Sequence, residues 1–249
     1  MRDSADLMNT FFAIDEQTDN EPLHVVQERC DMCVDAVMNP HKPRPKGENI
    51  LGEVTRQFWA NASRDMPLVV VERFQHTWRG YLDSVVRQAA NRDRKRILHP
   101  EEYLAERVNN IGAWPCYAIG EHCAGLNIPH ECMEHPILEL MRTCVSHLVA
   151  LTNDLFSYRK EKIDNDSDYN AITTVMVHFH ADLSGAVQWV SDRHEELLVL
   201  FLELREKVIN KNGFPSWGPE LDRQIIEYTG VLADHIRGNY EWSWHTQRY

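Results

Sequence analysis

Residues 136–161 read PILELMRTCVSHLVALTNDLFSYRKE, and this stretch decides the fold class. Its apolar residues recur with a helical period, which makes it the strongest predicted helix of the chain. Pro136 suits the first turn of such a helix, because the backbone N–H that proline lacks is not needed there. The stretch therefore predicts a long helix in a helical protein.

The last third of this helix, NDLFSYRKE, carries a polar stripe. Asn153, Ser157 and Glu161 follow one another in steps of four residues, and each step advances about 400°, so the three side chains drift only about 80° around the helix. They present an amide oxygen, a hydroxyl and a carboxylate on one face. Oxygen ligands of this kind suit a hard ion such as Mg²⁺. Taken alone, the stripe could also be an ordinary polar helix face.

Helical patterns extend over nearly the whole chain, and no segment predicts a β-sheet. The prolines and the glycine of NPHKPRPKG, residues 39–47, predict a loop. No internal repeat or linker divides the chain, so we predict a single all-α domain, a helical bundle over residues 1–249. The predicted helices cover residues 4–18, 23–38, 49–62, 67–92, 101–124 with an interruption, 136–161, 170–180, 183–210 and 220–244.

The composition limits the classes of function. The chain has 249 residues, of which 43% are hydrophobic, and can bury a substantial core. Lys and Arg number 26 and Asp and Glu 38, so the formal net charge of −12 argues against a nucleic-acid partner. Asp3 and Asp6 interrupt any signal-peptide core, and the longest apolar run, residues 197–202, is too short for a membrane span. We expect a cytoplasmic protein without a membrane span, as a monomer or a homodimer.

A second acidic group lies near the N-terminus, in FFAIDEQTDN, residues 11–20. Asp15 and Asp19 are four residues apart and share a helix face, and Glu16 adds a third carboxylate nearby. Like charges side by side are mildly destabilising unless a cation lies between them. Phe12 lies under Asp15 on the same face. A solvated helix end would also account for this pattern.

The chain ends in WSWHTQRY, where Arg248 and Tyr249 offer a guanidinium and a phenol, both good donors to phosphate. Together the three segments resemble the signature motifs of the class I terpene synthases, and specifically of the fungal (basidiomycete-type) sesquiterpene synthases. DEQTD is similar to the aspartate-rich motif D(D/E/N)xxD of that family. NDLFSYRKE fits its NSE pattern, ND(L/I/V)xSxxxE, at every fixed position, and the terminal pair resembles its RY motif.

The resemblance implies a further element in ERVNNIGAWP, residues 106–115. The family has a diphosphate-sensing arginine 46 residues before the NSE asparagine, and this position is Arg107 here. The helix break of the family would then fall at Asn110 and Ile111, beside Gly112. Pro115 predicts a break in the same segment, because proline removes a backbone donor and clashes with the preceding turn. We expect Arg107 to be an exposed cleft arginine that adds little to packing.

The function that the resemblance implies is Mg²⁺-dependent ionisation of farnesyl diphosphate, followed by cyclisation to a sesquiterpene. Three Mg²⁺ ions would be held on two facing helices by six side chains: Asp15, Glu16, Asp19, Asn153, Ser157 and Glu161. The diphosphate would be bound by Arg107, Lys160, Arg248 and Tyr249. The catalytic residues would be Asp15 and Arg107 together with two aromatic residues that stabilise the allylic cation, Phe12 and Trp242, the latter at the W-x5-RY spacing of the family.

The resemblance covers essentially the whole chain. In the family, two helices and most of a third precede the aspartate-rich motif, whereas Asp15 is only fourteen residues from Met1. We therefore expect a terpene synthase α-domain that lacks the N-terminal helices of the family. Two alternatives stay open: an impaired protein that still binds Mg²⁺ and diphosphate, and a non-enzymatic helical interaction protein whose acidic motifs are solvated faces.

Overall fold

The computed structural model describes residues 2–164 and 167–248. Within these residues the regular structure is helical and contains no β-strand, so the all-α prediction is confirmed. None of the described helices combines the length and the apolar character that crossing a bilayer requires. The helices are α1 (Arg2–Thr18), α2 (Leu23–Met38), α3 (Ile50–Ala62), α4 (Leu68–Asp93), α5 (Pro100–Asn110), α6 (Ala113–Cys123), α7 (His130–Met133), α8 (Pro136–Asp164), α9 (Ala171–Phe179), α10 (Leu183–Ile209) and α11 (Pro219–His245), with a 3₁₀ turn at Ser167–Tyr169.

The interruption of the predicted helix 101–124 separates α5 from α6. It falls at Ile111 and Gly112, and Gly112 has a φ of +70°, a conformation that glycine adopts at little cost. The break implied beside Gly112 is therefore confirmed. Pro115 also predicts a break in this segment, and it lies in the first turn of α6 directly after the interruption, where its nitrogen needs no intrahelical partner.

The described residues group into two compact units. The first unit comprises residues 2–96 and 114–127, and the second comprises residues 97–113 and 128–248. The single domain over residues 1–249 stays a prediction.

A row of aromatic rings forms part of the core of the first unit. Trp59 and Phe74 stack with their centroids 4.2 Å apart, and Phe74 and Trp78 stack at 5.7 Å. Phe11 of α1 meets the ring of Tyr81 edge-on at 4.8 Å. Such aromatic pairs contribute about 0.5–1.5 kcal/mol each beyond the burial of their area. They anchor α1 on α4 and fix the orientation of the acidic end of α1.

The close packing of α2 on α3 at Gly52 gives a testable prediction. A Cβ atom on Gly52 would lie 2.9 Å from Met32 Cγ and would also collide with the Glu48 carboxylate, which Arg44 holds in place. An overpacking cost of about 1–3 kcal/mol outweighs the roughly 0.5–1 kcal/mol that alanine gains over glycine in a helix. We expect Gly52→Ala to lower the free energy of unfolding by about 1–2 kcal/mol.

Gly238 of α11 is the matched control for this prediction. Nothing lies within 4 Å of the place that its Cβ would occupy. Gly238→Ala should therefore raise the free energy of unfolding by about 0.5–1 kcal/mol. Urea denaturation of both variants measures the two changes, and a stabilised Gly52→Ala protein would contradict the close contact of α2 and α3.

Helix α8 forms the centre of the second unit. Leu138, Met141, Val145 and Leu148 lie three and four residues apart on one face of α8 and are fully buried. Helices α10 and α11 make the most extensive contacts with α8, and α5 and α9 contact it as well. Because so many helices pack on α8, its remaining polar face is held in a defined orientation.

Candidate active site

The polar stripe predicted on α8 lies in the last third of that helix. Asn153 and Glu161 are half-buried, and Ser157 is only 4% exposed. Within the described part of the chain, the Ser157 hydroxyl makes no hydrogen bond of normal geometry, although it lies near the Glu161 carboxylate. A buried polar group without a partner costs about 1–3 kcal/mol. The buried hydroxyl therefore lowers the stability of the fold unless a ligand contacts it.

Arg107 of α5 reaches this stripe. Its Nη2 donates to Asn153 Oδ1 at 3.0 Å and to Asp154 Oδ1 at 2.9 Å, and its Nη1 donates to Asn110 Oδ1 at 2.9 Å. Arg107 is only 7% exposed, so the expectation of an exposed cleft arginine is wrong. The reason is the packing of α5 on α8, where the buried Asp154 carboxylate supplies the counter-charge that a buried guanidinium needs.

The surroundings of Arg107 favour its charged form. Burial alone would lower the pKa of Arg107, but Tyr103 and Asp154 outweigh burial and hold this pKa above its ordinary value. The rings of Tyr103 and Tyr169 lie 5.9 Å and 5.8 Å from the guanidinium carbon, within the range of cation–π attraction. Within the described residues, Arg107 Nε is buried and has no hydrogen-bond partner. One donor of a fixed cation therefore remains available to an anion.

Asp154 holds this arrangement together and was missed by the sequence analysis. Its carboxylate accepts a hydrogen bond from the Tyr103 hydroxyl at 2.6 Å, in addition to that from Arg107. It also accepts from the backbone N–H of Ala171 at 3.0 Å. Asp154 thereby joins α8 to α5 and to the start of α9. Its place directly after Asn153 in the NSE motif is the signal that could have pointed to it.

Asn170, the N-cap residue of α9, was also missed. It is fully buried, and its Oδ1 accepts from the backbone N–H of Ile172 at 2.9 Å. Its Nδ2 donates to Asp154 O at 3.0 Å and to Glu161 Oε2 at 2.9 Å. Burial raises the pKa of Glu161, and the nearby Ser157 hydroxyl and the amide of Asn170 oppose that rise. Glu161 is thus a partly desolvated carboxylate with one oxygen tied to α9.

The donor set of the stripe fits a hard divalent cation. Mg²⁺ prefers oxygen ligands, and Asn153, Ser157 and Glu161 supply only oxygens. Asn153 Oδ1 has a second lone pair besides the one that receives Arg107. The Ser157 hydroxyl is a buried oxygen that such an ion could use. Among the described residues, no group of three or more His, Cys, Asp or Glu side chains is placed to hold a metal ion without other residue types.

The aspartate-rich motif lies at the C-terminal end of α1, in the first unit. Asp15, Asp19 and Phe12 are half-buried, whereas Glu16 is exposed. Burial raises the pKa of Tyr81, and the charges of Asp15 and Asp19 contribute to the rise. Both carboxylates therefore lie near enough to Tyr81 for their charges to act on it.

Two arginines of the first unit approach the same end of α1. Arg29 and Arg92 donate hydrogen bonds to backbone carbonyls of its last turn. These carbonyls carry the negative end of the helix dipole, and the carboxylates of Asp15 and Asp19 add to the negative potential there. A cation bound by Asp15 and Asp19 would neutralise part of this negative potential.

The C-terminal candidates lie in the second unit. Trp242 is an exposed residue of α11, and Arg248 follows that helix and is half-buried. Lys160 of α8 is exposed and forms an ion pair with Asp164 at 3.1 Å. Tyr249 lies outside the described residues. Of the predicted diphosphate ligands, Arg107 thus contacts the stripe through Asn153, and Lys160 pairs with Asp164 of the same helix.

Comparison with known proteins identifies the family. The family described as "Terpene synthase family 2, C-terminal metal binding" matches residues 6–198. Sesquiterpene synthase 9 of Postia placenta is 40% identical over 249 residues, which span all of this chain and 70% of that protein. A Delta(6)-protoilludene synthase of Stereum hirsutum is 39% identical over 249 residues, all of this chain and 65% of that protein.

Solved structures show the same fold. The linalool/nerolidol synthase of Streptomyces clavuligerus, in complex with 2-fluorogeranyl diphosphate, superposes with a TM-score of 0.84 at 22% identity, covering 98% of this chain and 80% of that one. A variant of cucumene synthase gives a TM-score of 0.85 at 22% identity, covering 99% and 81%. The family match and the fungal relatives agree with the motifs DEQTD and NDLFSYRKE. This chain therefore belongs to the class I terpene synthase family and is a terpene synthase of the fungal sesquiterpene synthase type.

Proposed function

We propose that this protein ionises farnesyl diphosphate with the help of Mg²⁺ and cyclises the resulting cation to a sesquiterpene. The observation that carries the proposal is the meeting of Arg107 with the stripe on α8. A buried guanidinium donor, Nε, and a buried hydroxyl, that of Ser157, both make no hydrogen bond of normal geometry among the described residues of this cluster. The Arg107 N–H suits an anion and the Ser157 oxygen suits a cation, and a diphosphate with bound metal ions offers both. The names of the fungal relatives support a sesquiterpene product.

Loss of the diphosphate is the step that the polar residues assist. Diphosphate leaves poorly until its negative charge is neutralised, and bound Mg²⁺ supplies that neutralisation. Arg107, held in place by Asp154, donates its remaining Nε–H to the departing oxygens. We assign three Mg²⁺ ions, following the family resemblance, to these ligands: Asn153, Ser157 and Glu161 of the second unit, and Asp15, Asp19 and Glu16 of the first.

The allylic cation left behind needs a different environment. Aromatic faces attract a cation without reacting with it as nucleophiles, and we assign this role to Phe12 and Trp242. Arg248, Tyr249 and Lys160 are assigned to the diphosphate. Water must be excluded until cyclisation is complete, because early capture of the cation by water gives an alcohol. The protein therefore contributes mainly electrostatics and shape.

The test is incubation of the purified protein with farnesyl diphosphate and Mg²⁺, followed by mass spectrometry of the volatile products. We expect a cyclic sesquiterpene, its complete loss after chelation with EDTA, and its return when Mg²⁺ is restored. Products that are all linear would contradict the cyclisation step.

A thermal-shift measurement separates the two alternatives, an impaired synthase and a non-enzymatic interaction protein. Any ligand that binds the native state alone raises the melting temperature. Stabilisation by Mg²⁺ with inorganic diphosphate, but without any product, would identify an impaired synthase that still binds both. The absence of product and of stabilisation would favour a helical interaction protein.

A further inference from the structure

We propose that Asn170 is a positioning residue that fixes the Glu161 carboxylate for Mg²⁺, an inference that rests on the proposed function. Asn170 lies outside the NSE motif, nine residues beyond Glu161 in the sequence. It belongs to the N-cap of α9, whereas Glu161 belongs to α8. The 2.9 Å hydrogen bond from Asn170 Nδ2 to Glu161 Oε2 joins the two.

The amide of Asn170 has no freedom to rotate. Its oxygen accepts from Ile172 N–H at 2.9 Å, and its nitrogen donates both to Asp154 O at 3.0 Å and to Glu161 Oε2. The two N–H donors and the carbonyl are therefore all used. Reversal of the amide would break all three bonds inside a fully buried site. The position of Glu161 Oε2 is consequently set by α9.

Capping α9 uses only the amide oxygen of Asn170 and does not need its NH₂ group. A helix N-cap needs only an acceptor, and Ser or Asp serves there as well as Asn. Only an amide can accept from Ile172 and at the same time donate to Glu161. Contacts that orient a metal ligand typically change metal affinity by about 10–100-fold when they are removed. The choice of Asn at this position therefore indicates a role toward Glu161.

Two variants separate positioning from capping. Asn170→Ser and Asn170→Asp both keep a cap acceptor and both lose the donor to Glu161. The Asp variant keeps the size of the side chain but sets a carboxylate oxygen against Glu161 Oε2, so it should displace that carboxylate at least as strongly as the Ser variant. In the presence of inorganic diphosphate, we expect the Mg²⁺ concentration for half-maximal thermal stabilisation to rise about 10–100-fold in both variants. The Mg²⁺ requirement of turnover should rise in parallel, while the circular dichroism spectrum stays helical.

Asp182→Ala is the control. Asp182 caps α10, and its side chain accepts from Gly185 N–H at 2.8 Å at an exposed position. Removing this cap should lower the melting temperature without changing the Mg²⁺ dependence. A wild-type Mg²⁺ dependence in both Asn170 variants would overturn the inference and leave Asn170 as a cap alone.

Two other outcomes are informative. A lower Mg²⁺ requirement for Asn170→Asp would mean that this position can itself bind the ion, which also overturns the positioning role. If Mg²⁺ and inorganic diphosphate do not stabilise the unaltered protein, the proposed function fails first and the inference fails with it. A failure confined to the Asn170 variants leaves the proposed function standing.

Discussion

Arg107→Ala is expected to lower the free energy of unfolding by about 3–5 kcal/mol and to abolish product formation. The substitution leaves the Asp154 carboxylate buried without its cation, and breaking a buried ion pair on one side typically costs that much. The loss should be near the lower end of the range, because Tyr103 and Ala171 still donate to Asp154. Against a total stability of about 5–15 kcal/mol, the change is large.

Urea denaturation measures this loss, and Arg142→Ala is the matched control. Arg142 is equally buried in the second unit, where its Nη2 donates to Met133 O at 2.8 Å. Its removal should also destabilise the fold, but the folded protein should keep its response to Mg²⁺ with inorganic diphosphate. An Arg107→Ala protein of wild-type stability would contradict the buried ion pair.

Arg107→Lys separates stability from catalysis. The ammonium group keeps a positive charge beside Asp154, so most of the folding energy should remain. It cannot reproduce the planar fork that serves Asn110, Asn153 and Asp154 together. We expect turnover to fall by about 10²–10³-fold, the usual cost of losing one fixed donor to developing charge. A fully active Lys variant would reduce Arg107 to a point charge.

Ser157→Ala is expected to cause a large loss of activity with almost no loss of stability, unlike Arg107→Ala, which should lose both. The hydroxyl is buried and makes no hydrogen bond of normal geometry among the described residues, although it lies near the Glu161 carboxylate, so its removal breaks no strong contact. The free energy of unfolding should stay the same or rise by up to about 1 kcal/mol. Turnover of farnesyl diphosphate should fall by about 10²–10³-fold at limiting Mg²⁺, because several kcal/mol of charge stabilisation depends on the metal.

Ser243→Ala is the matched control for this variant. Ser243 of α11 is also a buried serine whose hydroxyl has no partner in the described residues, but it does not lie on the stripe. Both alanine variants should unfold at similar urea concentrations, while only Ser157→Ala should need more Mg²⁺. Equal Mg²⁺ dependence in the two variants would remove Ser157 from the proposed ligand set.

The parts of the fold that depend on local patterns were predictable. Helical periodicity and the position of Pro136 predict α8, which the structure confirms from Pro136 to Asp164. The three-residue stripe follows from the geometry of a single helix. Gly112 and Pro115 predict the interruption between α5 and α6, and the structure places it at Gly112, with Pro115 in the first turn of the next helix.

The supporting residues of the site could not be predicted from local patterns. Tyr103, Asp154 and Asn170 belong to three different elements, and what they do depends on how α5, α8 and α9 pack. A sequence shows a carboxylate beside Asn153 but does not show that it is buried. The burial of Arg107 was missed for the same reason, because a single helix does not reveal the counter-charge that another helix brings.

The start of α9 also provides a natural probe of the site. The amide protons of Ala171 and Ile172 are held by the side chains of Asp154 and Asn170, at 3.0 Å and 2.9 Å. Protons held in this way exchange with deuterium from the solvent only when the surrounding segment opens. Their exchange rates therefore report the frequency with which the start of α9 opens. Because Asn170 holds both Ile172 and Glu161, such an opening also affects the contact to Glu161. Deuterium exchange at these two amides therefore measures how often this part of the enzyme opens, and it needs neither an attached label nor a substrate.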